Sequence, residues 1–151
     1  MKQTIAIASD HAGFPLKERL RSYLSGRGLK VQDLGTYSED RCAYPTFAYI
    51  LAKGVACRKF KRGILICKSG IGHSIVANRF PGVRAALCYN VKAAKLSRQH
   101  NDSNVLVLGS AFVDAVLAKR MIKVWLNTKF KGGRHRRRLD ILKGIEREIR
   151  G

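Results

Sequence analysis

Five short strand-like runs, most of them apolar, recur along the chain, and a segment of helical periodicity follows each. The runs are Thr4 to Ser9, Lys30 to Leu34, Gly63 to Cys67, Val83 to Cys88 and Asn104 to Leu108. Apolar runs of this length, bounded by turn residues, read as strands buried on both faces. Strands alternating with helices of about ten residues predict a parallel sheet covered on both sides. The 151 residues suit one domain, and no linker, low-complexity tract or repeat divides them. The expected class is a single α/β domain.

The helical segments follow from their apolar spacing. Phe14 to Ser25 places Leu16, Leu20, Tyr23 and Leu24 on one face, and Gly26 and Gly28 break it. Gly35 to Ala43 reads as a polar loop. Pro45 fits the first turn of the next helix, in which Phe47, Leu51 and Val55 recur at intervals of four. Further helices are predicted over Ile71 to Arg79 and from about Val91 to Gln99. Val113, Val116, Leu117, Met121, Val124 and Trp125 stripe a long helix. A last helix covers about 136–150, with Leu142, Ile145 and Ile149 along one side.

In sheets of this kind ligands bind beyond the carboxyl ends of the strands. Ser9-Asp10-His11 follows the first strand, Cys67-Lys68-Ser69-Gly70 the third and Gly109-Ser110 the fifth. The polar cluster Ser97 to Asp102 instead precedes the fifth strand. The topology rule does not bring it to the same pocket, and a neighbouring subunit is an alternative destination.

Cys67 ends an apolar strand and stands just before Gly70 and Gly72. The two glycines let the turn tighten, and the NH groups from about Lys68 to His73 can converge on an anion. The stretch is not a dinucleotide fingerprint, because position 75 is not glycine, and it is not a Walker phosphate loop. A lone buried cysteine is commonly an inert small hydrophobe, and Cys57 and Cys88 are expected to be that. At a helix start beside Lys68, however, Cys67 is expected to ionise readily and to serve as a nucleophile or a proton-abstracting base. Histidines at 11 and 100 are natural proton shuttles, though structural hydrogen bonding is as good an account of each. Arg134 and Arg138 are four apart, so on a helix they share a face and can grip one phosphate; a plain solvated charge run is the alternative.

Thirty basic residues against ten acidic ones give a net charge of +20. That surface attracts anions, whether nucleic acid, anionic lipid or small phosphorylated compounds. The four cysteines, Cys42, Cys57, Cys67 and Cys88, lack the close pairing of a metal or redox motif and are expected to be free thiols. No segment reads as a secretory leader or a membrane span, so a cytoplasmic protein without membrane attachment is expected.

Six motifs occur in order: S-D-H-A-G-F-x-L-K, Y-P at 44–45, G-I-L-I-C, G-I-G-x-S-I-x-A-N-R, S-R-Q-H-N-D-x-N-V-L and G-G-R-H-x-x-R. Together they resemble type B ribose-5-phosphate isomerase, and the galactose-6-phosphate isomerase subunits share much of the pattern. The resemblance implies a doubly wound, Rossmann-like parallel sheet flanked by helices, forming one sugar-phosphate isomerase domain over 1–151. It implies a homodimer or a tetramer with active sites between subunits. It also implies interconversion of D-ribose 5-phosphate and D-ribulose 5-phosphate without metal or organic cofactor, in the non-oxidative pentose phosphate branch.

By position, the resemblance makes Cys67 the base that moves a proton between C1 and C2. His100 helps open the sugar ring with Asp10 nearby, and Ser69 lies beside the reacting oxygens. The amides at Gly70 and Gly72 hold the enediolate. His11, Arg134 and Arg138 contact phosphate, and Tyr44 and Asn101 contact the sugar. The chain departs from the family at Lys68 and Ser69, where glycine and threonine are usual. It also has Ala43 before Tyr-Pro in place of aspartate, and Ala111 in place of arginine. One branch of the family has a glutamate base where this chain has His73. These departures keep allose or galactose 6-phosphate open as substrates. The rival of another class, a basic nucleic-acid-binding protein, has no helix-turn-helix, zinc finger or RNA-binding aromatic motif behind it.

Overall fold

The computed structural model describes residues 3–151. Five parallel strands form one sheet: β1 (Thr4–Ser9), β2 (Lys30–Asp33), β3 (Arg62–Cys67), β4 (Ala85–Leu87) and β5 (Val105–Gly109). Their spatial order is β2-β1-β3-β5-β4. Six helices accompany them: α1 (Phe14–Gly26), α2 (Tyr44–Ala56), α3 (Ile71–Ala77), α4 (Val91–Asn101), α5 (Ala115–Asn127) and α6 (Arg134–Arg150). The chain moves outward from β1 to β2, then returns to the other side of β1 to lay down β3. The crevice at that reversal, beyond Ser9 and Cys67, is where a doubly wound sheet binds ligands. The expected fold class is the observed one.

Side-chain alternation splits the core into two layers. Ile5, Ile7, Ile64, Ile66, Leu106 and Leu108 face α1, α4 and α5, where Leu20, Met121 and Trp125 meet them. Ala6, Ala8, Leu65, Val105 and Val107 face α2 and α3, against Leu51, Ala52 and Ala77. Central strands β1, β3 and β5 are therefore buried on both sides, which is why they read as continuous apolar runs. The expected run Val83 to Cys88 forms a strand of only 3 residues, Ala85–Leu87, at the edge of the sheet, where Asn78 covers the open backbone. Its side chain accepts from the Ala85 NH at 2.8 Å and donates to the Ala85 carbonyl at 2.9 Å.

Two helices depart from expectation. Asp114 caps α5 by accepting the Leu117 NH at 2.8 Å, so Val113 lies before the helix and Val116 turns outward, 69% exposed. α6 begins two residues earlier than predicted, at Arg134, after Gly132 and Gly133 at positive φ. It packs through His135 and Leu139, leaving Ile141, Leu142, Ile145 and Ile149 exposed. No helix among the described residues is long and apolar enough to cross a membrane.

Candidate active site

The carboxyl ends of the central strands are stitched together by backbone bonds. The Asp10 NH donates to the Ile66 carbonyl at 3.3 Å, and the Ser110 NH to that of Cys67 at 2.9 Å. Cys67 is 5% exposed, at the last position of β3. The chain then turns through Gly70, at φ +83, where a side chain would collide with Leu87 and the Leu108 backbone. A Cβ at Gly72 would stand 2.6 Å from the Tyr44 ring. Both glycines are therefore required by close approach.

The amides expected to cradle an anion converge on the Cys67 sulfur. The Gly70 NH donates to Sγ at 3.2 Å, while the Ile71 NH is held by Ser69 Oγ at 3.1 Å. The expectation that Cys67 ionises readily is corrected. Burial pushes its thiol up from the usual value, and the nearby Asp10 carboxylate adds to this. NH groups of His73, Gly70 and Ser69 pull the other way without overcoming burial. Lys68 points into solvent and gives the sulfur no resolved help.

Asp10 and His73 close the pocket around the sulfur. A carboxylate oxygen of Asp10, Cys67 Sγ and a ring nitrogen of His73 all lie within 4.8 Å of one another. The three residues are 6%, 5% and 0% exposed. Asp10 Oδ1 accepts the Gly13 NH at 2.9 Å. Neither ring nitrogen of His73 has a partner within hydrogen-bond distance, and burial, partly offset by Asp10 and the Tyr44 backbone, lowers its pKa to about 4, so it is neutral at neutral pH. Spacing alone gives His73 no place beside Asp10; only the fold joins positions 10, 67 and 73. His11 sits next to this group, half-buried, its Nδ1 accepting the Cys42 NH at 3.3 Å. Tyr44 opens α2 with its ring 6.0 Å from that of His73. Sequence reasoning also misses Tyr89, whose hydroxyl donates to the Ser69 carbonyl at 2.9 Å and whose ring stacks on Phe112.

His100, Asn101, Arg134 and Arg138 form a second group elsewhere. α4 returns antiparallel to the strands, and its eleven residues carry the chain about 16 Å back along the sheet. His100 and Asn101 therefore lie at the amino-terminal edge. There the Asn104 NH donates to the Arg84 carbonyl at 3.0 Å just before β5 begins. His100 stacks on His135 with ring centroids 4.3 Å apart. His135 sits between Arg134 and Arg138 on α6, both exposed and on one helical face. Ser97 and Arg98 of the same motif are structural: Arg98 donates to the Ser103 carbonyl at 2.6 Å and pairs with Asp102 at 2.9 Å. One chain thus brings Asp10, His11, Tyr44, Cys67, Ser69, Gly70 and Gly72 together. It holds His100, Asn101, Arg134 and Arg138 apart from them.

Residues 5–142 match the family described as Ribose/Galactose Isomerase. The chain belongs to this family. Its reaction class is the isomerisation of a sugar phosphate. Ribose-5-phosphate isomerase B of Escherichia coli is 46% identical to it, over 94% of this chain and 95% of that one. The solved ribose-5-phosphate isomerase B of Clostridium thermocellum is 41% identical, covering 97% of this chain and 99% of that one at a TM-score of 0.95. The enzyme of that name from Mycoplasma genitalium, solved with bound ribulose-5-phosphate, is 40% identical, covering 98% and 99%, with a TM-score of 0.93.

Proposed function

We propose that the chain, as one isomerase domain over residues 1–151, interconverts D-ribose 5-phosphate and D-ribulose 5-phosphate in the cytoplasm, within the non-oxidative pentose phosphate branch. The carrying observation is the Cys67 pocket, where a buried sulfur at a strand end meets three amides and a carboxylate. Asp10 and His100 open the ring, moving one proton off the C1 hydroxyl and another onto the ring oxygen. The Cys67 thiolate then takes the C2 proton. The C–H electrons form the enediolate double bond, and charge collects on O1. Amides at Gly70 and Gly72, with Ser69, hold that charge. The O2 hydroxyl proton passes to O1, the thiol returns its proton to C1, and O2 becomes the ketone oxygen. His11, Arg134 and Arg138 bind the phosphate, and Tyr44 and Asn101 bind the sugar; this fixes C2 against the base.

A homodimer completes the site, each pocket taking His100, Asn101, Arg134 and Arg138 from the other copy. Two apolar surfaces support such an assembly. Ile71 and Ile75 are exposed next to the Cys67 pocket, and Ile141, Leu142, Ile145 and Ile149 are exposed on α6. A groove of about 480 Å³ runs along α6, lined by Asn101, Leu139, Leu142 and Ile145 among others.

The test is kcat/KM on ribose 5-phosphate, allose 6-phosphate and galactose 6-phosphate. The expected result is a clear preference for ribose 5-phosphate. A preference for either six-carbon sugar would overturn the substrate while leaving the reaction class in place.

A further inference from the structure

We propose that Asp10, Cys67 and His73 form a binding site for a borderline-soft divalent cation, Zn²⁺ or its analogue Co²⁺. Three independent elements supply the ligands: the end of β1, the end of β3 and the first turns of α3. Their donor atoms already lie within 4.8 Å of one another. An ion with bonds of about 2.0 to 2.3 Å needs its ligand atoms roughly 3.5 Å apart, so modest side-chain rotations close the shell. Thiolate, imidazole and carboxylate together are a zinc donor set. One carboxylate alone is too few oxygens to hold magnesium or calcium.

The decisive observation is His73. It is fully buried, and neither ring nitrogen has a partner within hydrogen-bond distance, although the Tyr44 backbone lies close enough to favour its charged form; buried polar atoms are nearly always hydrogen-bonded. A nitrogen facing a thiol and a carboxylate across a few ångströms is satisfied by a cation between them. The other donors are pre-positioned. Asp10 keeps Oδ1 on the Gly13 NH, leaving Oδ2 for the ion, and Cys67 Sγ is held by the Gly70 NH. Three protein ligands leave a fourth position open to water or to a sugar oxygen.

Occupation has a consequence that rests on the proposed role of Cys67 as base. A sulfur bound to the ion has its charge drawn into the metal bond and is a far weaker base toward the C2 proton, so the cation acts as an inhibitor.

The experiment adds Co²⁺ to the reduced, chelator-stripped full chain and records the visible and near-ultraviolet spectrum; Zn²⁺ is titrated in parallel by calorimetry. The expected result is one ion per chain, with the charge-transfer band of a cobalt–thiolate bond. His73→Leu and Cys67→Ser should each weaken binding by more than the roughly 10- to 100-fold that loss of a merely supporting residue costs. Cys67→Ser preserves shape and keeps the test decisive if His73→Leu misfolds. Cys57→Ser, which alters an exposed thiol away from the pocket, should leave binding unchanged. Absence of binding, or binding indifferent to the His73 and Cys67 changes, would overturn the site. Binding without loss of isomerisation would uphold the site and overturn the role of Cys67 instead.

Discussion

His100 and His135 stack face to face, with ring centroids 4.3 Å apart and planes 11° from parallel. The stack ties the end of α4 to the start of α6 and presents His100 beside two exposed arginines. In the proposed mechanism His100 serves ring opening rather than carbon-proton transfer. His100→Ala should therefore lower kcat/KM on cyclic ribose 5-phosphate by roughly 100-fold or more, the usual scale of general acid–base assistance. An open-chain four-carbon aldose phosphate should lose far less. Equal fractional losses on both substrates would contradict the assignment.

Arg134 and Arg138 stand on one face of α6, while Arg136 lies over the Phe130 ring with its guanidinium carbon 4.9 Å from the centroid. Guanidinium forks suit phosphate oxygens. Replacing Arg134 or Arg138 by Ala should remove about 2 kcal/mol, or roughly 30-fold in kcat/KM on ribose 5-phosphate. Unphosphorylated ribose should be nearly indifferent. Arg136→Ala and Arg137→Ala should have smaller effects that fade with salt. Equal losses at all four positions would mean a diffuse anion-attracting face.

Burial raises the Cys67 thiol above its ordinary value of 9.0. Only the thiolate accepts a carbon-bound proton, so kcat/KM should climb with pH through neutrality and level off only above the ordinary cysteine range. Cys67→Ala should abolish exchange of the C2 proton with solvent, followed by NMR, while leaving the fold intact. A rate profile that levels off near neutral pH, or near-normal exchange in the variant, would assign the base elsewhere.

His73 is kept neutral down to about pH 4, against 6.5 for an ordinary imidazole. Between those values the unfolded chain binds a proton that the folded chain does not. Stability is therefore complete above pH 6.5 and falls as pH drops toward 4. Between about pH 7 and pH 5 the loss attributable to this residue is about 2 kcal/mol. Urea unfolding in the presence of a chelator should show that slope in the native chain and a correspondingly shallower one in His73→Leu. Identical slopes would contradict the burial argument.

The central strands are legible in the sequence because burial on both faces leaves them uninterrupted apolar runs, as in Ile64 to Ile66. Edge strand β4 is shorter than its apolar run, because the Arg84 NH goes to the Asn104 side chain, 2.8 Å away, rather than to a strand neighbour. That contact is tertiary and leaves no mark on periodicity. Val116 lies outside the buried stripe because the Asp114 cap, not apolar spacing, sets where α5 begins. The glycine turn after Cys67 is visible as G-x-G, but the direction of the thiol shift is not. Position suggests a helix-end effect, whereas desolvation depends on how deeply the fold encloses the sulfur. The Asp10–Cys67–His73 group leaves no spacing signal, since three separate elements build it.

Complementation between two impaired variants tests most directly whether two chains share each site. Alone, Cys67→Ala is expected to be inactive and His100→Ala to keep about a hundredth of native activity or less. Dissociated, mixed in equal amounts and reassociated, they should recover roughly a quarter of native activity, because half the dimers are mixed and each mixed dimer holds one intact site. No recovery, in mixtures shown to have exchanged subunits, would contradict a site assembled from two chains.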